Sequence, residues 1–242
     1  MNLDWPAAWQ ALIHHPLFGV GITLGTYQLA LAAYERTHWR LLKPLLQPVL
    51  LSMLLVIGVL LACGLSYREY QQSAQLLIIL LGPSTVALAV PLFVNLRRIR
   101  QLLWPTLLTL LLAGVVATLL GVVLAWALGA EPMILMTMAP KSVTSPIAML
   151  VAEQIGGVAA LAAVFVLITG VLGAMCGPEL LRRVGVQHPA ALGMALGLTA
   201  HAVGTAQALQ ESEESGAFAA LAMSLMGVAT AVFLPLVVAL LV

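Results

Sequence analysis

The residues best equipped for chemistry stand together in one stretch, Ala139-Pro140-Lys141-Ser142-Val143-Thr144-Ser145-Pro146-Ile147-Ala148-Met149. It brings an ammonium, three hydroxyls and two prolines into a chain that is otherwise mostly hydrocarbon. A lysine at bilayer depth costs about 2.5–3.5 kcal/mol on insertion scales, so it needs a partner or a watery cavity. Pro140 and Pro146 each lack an N–H and disfavour helix at the preceding residue. Non-helical backbone at membrane depth is tolerated only where it is buried in protein or lines a cavity. Ser145 reads as an N-cap, with Pro146 at the first helical position. A helix starting there turns its positive end toward Lys141, and N–H groups, hydroxyls and an ammonium then converge as an anion site does. In that reading Lys141 holds a carboxylate, and Ser142, Thr144 and Ser145 line the cup. Two plainer readings compete: an exposed loop with a solvated Lys141, and a structural salt bridge from Lys141 to Glu153.

Two further interruptions carry polar groups, Gly82-Pro83-Ser84-Thr85 and Thr199-Ala200-His201-Ala202-Val203-Gly204-Thr205. Hydroxyls at Ser84, Thr85 and Thr205 can satisfy freed backbone groups or contact a substrate. His201 is the proton-coupling candidate, because histidine changes charge near physiological pH. Its structural alternative is a neutral imidazole bonded to a neighbouring helix. Glu179, beside Arg182 and Arg183, reads as an ion pair at the membrane interface. Gly193, Gly197 and Gly204 suggest close helix packing. Cys63 and Cys176 lack metal-ligand spacing and read as buried thiols. There is no Walker loop, no His/Cys metal cluster and no credible Ser-His-Asp set. The expectation is therefore a protein that is not an enzyme, with no cofactor, no metal site and no nucleic-acid partner.

The elements that must position these groups are membrane helices. The 242 residues are 62% hydrophobic and 8% charged, with mean hydropathy +1.08. A soluble domain is nearer 45–50% apolar and about 25% charged. The class is an all-α polytopic membrane protein. At about 20 residues per span the chain has room for six to eight spans, and the apolar runs give about seven, near 17–34, 45–63, 73–95, 104–128, 159–181, 189–209 and 216–240. No basic region precedes the first run, so no cleavable signal peptide is expected; Trp5 and Trp9 look like interfacial anchors.

Charge then orients the spans. Eight of the ten Lys and Arg residues fall in three loops, at 36–43, 97–100 and 182–183. The positive-inside rule places all three in the cytoplasm. Asp4, Glu69, Glu131 and the acidic loop Glu211-Ser212-Glu213-Glu214 then fall outside, with the N-terminus. Residues near 130 lie outside and Arg182 inside, and 159–181 already makes that crossing. So 133–157 is expected to enter and return as a re-entrant hairpin with broken helices. The whole is expected to be one membrane domain over 1–242. Weak inverted halves, about 45–128 and 159–242, would flank the hairpin, and broken segments in two such halves point to a transporter site.

The run Pro140-Lys141-Ser142-Val143-Thr144-Ser145-Pro146-Ile147-Ala148-Met149 resembles the signature of the LrgB/CidB family, which includes YohK-type bacterial inner-membrane proteins. Thr85-Val86-Ala87-Leu88-Ala89-Val90-Pro91-Leu92 is similar to that family's segment before a basic loop. Ala200-His201-Ala202-Val203-Gly204-Thr205-Ala206, followed by Gly216-Ala217-Phe218, looks like its C-terminal signature. Gln207 departs from the pattern, which often has arginine there. The resemblance implies a multi-pass protein of the bacterial cytoplasmic membrane. It implies either an antiholin-like regulator of murein hydrolase export and lysis or, as in plastidial relatives moving glycolate and glycerate, a carrier of small monocarboxylates. It also implies a small organic anion as ligand, a small LrgA/CidA-type membrane partner and a homo-oligomer in the lipid bilayer. The residues favour the carrier, because an anion cup between broken helices has an obvious use in moving a carboxylate.

Overall fold

The structure is a computed structural model that describes residues 5–37 and 46–241, without the side chains at positions 5, 6, 81, 85 and 241. Asp4, Arg40 and Lys43, which enter the charge pattern of the sequence, lie outside the described residues. The chain forms two compact units, Met1–Ala87 and Leu88–Val242.

The first unit holds α1 (Trp5–Ile13), α2 (Phe18–Arg36), α3 (Pro48–Cys63), α4 (Tyr67–Ser73) and α5 (Gln75–Ala87). Local chemistry sets its boundaries. Gln47 accepts the Leu50 N–H ahead of Pro48 at the start of α3, and Gly64 at φ 67° ends that helix in the left-handed region, where glycine alone is unhindered. Ser66 and Glu69 close a reciprocal capping box on α4. The Ser66 hydroxyl and backbone N–H hold the Glu69 carboxyl below its ordinary range. Thr26 and Ser52 join α2 to α3 by a hydroxyl pair at 3.1 Å. The helix α5 runs through Pro83, so the expected break at 82–85 is absent, and only Leu88, itself in the right-handed α region, separates it from the next helix.

The second unit holds α6 (Ala89–Val94), α7 (Leu96–Gln101), α8 (Leu103–Ala127), α9 (Pro132–Met138), α10 (Ser145–Gln154), α11 (Ala159–Arg183), α12 (Pro189–Glu211) and α13 (Glu213–Leu241). Two of its segments leave a face and come back to it. In the first, the Val158 N–H donates to Thr137 Oγ1 at 2.9 Å, and a Cβ on Gly157 would fall 2.8 Å from the Thr137 nitrogen. The chain between them therefore begins and ends at one place, as a re-entrant hairpin over 133–157 requires. This is hairpin 1, made of α9, a tip at 139–144 and α10.

The second corrects an expectation. Residues 189–209 do not form a span. His201 has φ 42° and ψ −127°, and the helix folds back there. Gly204 packs against the Leu196 backbone, a contact that a straight helix forbids between residues eight apart. Gly193 packs on the backbone of Ser215, and Gly197 on that of Ala219. The arm 189–200 and the start of α13 therefore run parallel in direct contact, and the arm 202–211 returns alongside, touching the first arm at Gly204–Leu196 and α13 at Leu209–Gly216 and Thr205–Met223. This is hairpin 2, with His201 at its tip.

Among the described residues, four helices are long and apolar enough to cross a membrane, Gln75–Val94, Leu103–Ala127, Ala159–Arg183 and Glu213–Leu240. The number rises to six if the bent pairs α1–α2 and α3–α4 each count as one span. The remaining expected span, 189–209, is hairpin 2.

The acidic loop is also on a different face from the one expected. Glu211 pairs with Arg182, and Glu214 with Arg98 at 3.3 Å. The loop thus sits with the arginines that positive-inside orientation keeps in the cytoplasm, because hairpin 2 returns the chain to the face it left. Within this unit the order is span, hairpin, span, hairpin, span, and the two hairpins enter from opposite ends of α11.

The core of the unit explains why the hairpins hold. Val143, Ala148, Ala162, Val166, Leu198, Phe218, Ala222 and Met226 form one buried cluster. It joins the tip of hairpin 1, the N-terminal part of α11 and the first arm of hairpin 2 with α13. Five of the twelve buried residues of this cluster are alanine, and small residues let helix backbones approach where lipid supplies no hydrophobic drive.

Candidate functional site

The site is built from the tip of hairpin 1. The helix α9 ends at Met138, Ala139 ahead of Pro140 keeps right-handed backbone angles (φ −52°, ψ −45°), and the chain crosses 139–144 in turns, with the Lys141 N–H donating to the Met138 carbonyl at 3.0 Å. The cap of α10 is Thr144, in extended geometry, with Ser145 and Pro146 as the first helical residues. The cap thus falls one residue before the expected Ser145, and Thr144 makes no side-chain capping bond. The N-terminus of α10 opens at the tip beside Lys141, as expected.

Lys141 reaches across to α8. Its ammonium donates to the Ala117 carbonyl at 3.1 Å and to Ser142 Oγ at 3.4 Å. Ser142 is 3% exposed and Lys141 half-buried. Ala117 lies about 15 Å from the Ala127 end of α8, near the middle of a hydrocarbon core about 30 Å thick. The ammonium has no carboxylate within ion-pair distance among the described residues; Glu153 is exposed on α10 and makes no bridge to it. An ammonium held at that depth by a carbonyl and a hydroxyl keeps its charge uncompensated.

Hairpin 2 presents His201, 3% exposed. Its Nε2 lies 2.9 Å from the Val166 carbonyl of α11, so the ring nitrogen there carries the hydrogen and donates. This is the bond its structural alternative called for. Thr205, 2% exposed, donates to the His201 carbonyl at 2.8 Å and contacts Met223 Sδ at 3.7 Å. This is the back-bond of a helical threonine to the carbonyl four residues earlier, here that of the turn residue itself.

The structure brings Lys141, Ser142, Thr144 and Ser145 together at one tip, and His201 and Thr205 at the other. Ser84 belongs to the first unit, where its exposed hydroxyl donates to Leu80 of its own helix at 2.8 Å. The Thr85 side chain lies outside the described residues. Glu179 pairs with Arg183 at 2.9 Å as read. Of the thiols, Cys63 is half-buried and Cys176 exposed on α11; an outward face of a membrane helix meets lipid, so apolar surroundings in sequence did not mean burial in protein. Four residues that shape the tips escaped the sequence reading: Ala117 and Gly121 on α8, and Val166 and Gly170 on α11. Single glycines in apolar runs were their only signal.

A multi-pass helical membrane protein with broken, re-entrant segments is the class that fold and site define. The profile of the LrgB-like family matches residues 23–240, and the chain belongs to that family. An uncharacterized protein of Haemophilus influenzae is 32% identical over 216 residues, 89% of this chain and 92% of that one. The holin-like protein CidB of Staphylococcus epidermidis is 34% identical over 81% of this chain and 86% of its own. The antiholin-like protein LrgB of Bacillus cereus is 27% identical over 91% and 95%. No solved structure matches the chain.

Proposed function

We propose that this protein is a secondary transporter of small monocarboxylates, of the glycolate, glycerate or pyruvate type, across the bacterial cytoplasmic membrane. The observation that carries the reading is the Lys141 ammonium, held near mid-membrane by a carbonyl and a hydroxyl, with no carboxylate beside it among the described residues. The N-terminus of α10 opens at the same tip and adds partial positive charge. A carboxylate entering there would replace the weak Lys141–Ser142 contact with an ion pair, and low dielectric strengthens that pair. Ser142, Thr144 and Ser145 would line the cup, with Thr205 and His201 at the facing tip and His201 as the proton-coupling group.

A second reading is favoured by the names of the relatives, holin-like and antiholin-like. In it the chain regulates murein hydrolase export and lysis, with a small LrgA/CidA-type partner or as a homo-oligomer, and moves no solute. Uptake of labelled glycolate or pyruvate into proteoliposomes holding this chain alone separates the two. Saturable uptake, lost in Lys141→Gln, is expected for the transporter. Absence of uptake, together with altered autolysis on overexpression, would favour the regulator.

A further inference from the structure

The two hairpin tips are seated in the same way. In the first, the tip side chain of Lys141 lies over Gly121 of α8 and bonds the carbonyl of Ala117, four residues before that glycine. In the second, the tip side chain of His201 lies over Gly170 of α11 and bonds the carbonyl of Val166, again four residues before the glycine. Helix geometry gives the rule behind the number. The N–H of a helical residue bonds the carbonyl four residues earlier, and a carbonyl oxygen has a second lone pair to offer. Without a Cβ, the glycine leaves that lone pair reachable from the side. A Cβ on Gly121 would fall 2.6 Å from Lys141 Cε, and one on Gly170 would fall 2.8 Å from His201 Nε2. Either would force the tip side chain out of its place, the His201 ring more than the flexible end of Lys141.

In both cases the glycine belongs to the span that immediately precedes the hairpin it receives. Span plus hairpin is thus a unit present twice, α8 with hairpin 1 and α11 with hairpin 2. The two copies are inverted, because hairpin 1 returns to its own face and sends α11 back across. This repeat differs in extent from the halves near 45–128 and 159–242. The two tips meet in the middle, where Val143, Leu198 and Val166 share one core.

We propose that the two hairpins are two gates, one toward each face, each latched by a basic tip side chain in a glycine notch. Both notches are filled in this structure, so both gates are closed. Withdrawal of Lys141 from Gly121 opens a path to the centre from the face of hairpin 1 only. Withdrawal of His201 from Gly170 opens it from the face of hairpin 2 only. The inference rests on the transport reading for its purpose, since paired gates on opposite faces are what alternating access needs.

The test needs no substrate. Val143, 1% exposed in the shared core, is changed to cysteine in a background without Cys63 and Cys176. A membrane-impermeant maleimide is applied to right-side-out and to inverted vesicles. Loss of one hydrogen bond to a charged or buried group should raise the open fraction by about tenfold. Gly121→Ala is expected to speed labelling by that factor from the outside alone, and Gly170→Ala from the cytoplasmic side alone. Lys141→Met and His201→Asn remove the bonds without crowding a helix, and should reproduce the same one-sided pattern if an alanine variant fails to fold. Faster labelling from both faces in any one variant, or no change in all four, overturns the gates. One-sided labelling in a protein that takes up no carboxylate would uphold the gates and remove the transport reading.

Discussion

Lys141 and His201 are both basic and both at hairpin tips, yet they should respond differently to substitution. Lys141 makes only contacts that water or a ligand could replace, a carbonyl and a serine hydroxyl. Lys141→Gln should therefore leave thermal unfolding of the empty protein near wild type. Carboxylate affinity should weaken by about 10–100-fold, the worth of a hydrogen bond to a charged group. A thermal-shift series with and without glycolate reads both, and early melting of the empty mutant would instead make Lys141 a structural tie. His201 carries a backbone penalty, because φ 42° is costly for any residue with a Cβ. His201→Gly loses the Val166 bond but relieves the backbone, whereas His201→Ala loses the bond and keeps the strain. The alanine variant should be the less stable of the two by about 1 kcal/mol, measured as a lower unfolding temperature in detergent. At this scale the sequence was informative where residue types were unusual for their surroundings. A lysine between prolines in hydrocarbon announces itself, and its cap was placed to within one residue. Gly121 and Gly170 did not, because nothing in a lone glycine tells which side chain will cover it.

The elements were legible wherever hydropathy and breakers agreed. α3 begins at Gln47-Pro48 and ends at Gly64, α8 and α11 are uninterrupted apolar runs, and Pro140 and Pro146 bracket a turn. Hairpin 2 was legible as an interruption at 199–205, where His201 breaks the helix, but its reversal was not. Its 23 residues match the length of one span, and its turn sits on histidine, where a sharp reversal would ordinarily advertise glycine. Hairpin 1 rests on a pin that can be tested directly. Thr137 Oγ1 accepts the Val158 N–H, and Thr137 is fully buried. Thr137→Val keeps the shape and strands that N–H, at a cost of about 1–3 kcal/mol. The variant should melt earlier than wild type, while Thr137→Ser, which keeps the acceptor, should recover most of the difference. Equal melting of all three would mean that packing of Gly157 on α9, and not this bond, closes the hairpin.

At the scale of the molecule, the ion pairs decide orientation where the count of basic residues did not. Arg98 bonds Glu214 at 3.3 Å and donates to His188 Nε2 at 3.0 Å, and Arg182 pairs with Glu211. Both ends of hairpin 2 are therefore held at the arginine face. Single cysteines at positions 183 and 212 should both label from the cytoplasm, and one at position 130 from outside. Labelling of 183 and 212 from opposite faces would restore 189–211 as a span. The acidic loop is expected outside only when 189–209 counts as a crossing; acidic residues carry little weight in the positive-inside rule, and the loop goes where its covalent neighbours go.

The placement of the notches also bears on how the chain can be made. Gly121 precedes Lys141, and Gly170 precedes His201. As the polypeptide leaves the ribosome, each polar tip emerges when the helix that will receive it has already been synthesised. Neither tip has to wait in lipid for a partner still to come. The next helix in the chain, entered at Val158 for α11 and near Ser215 for α13, then seals the hairpin behind it through Thr137 and the Pro189 carbonyl. Assembly can proceed from the N-terminal side of this unit to its end, one span and one hairpin at a time, with the costly groups sheltered at every stage.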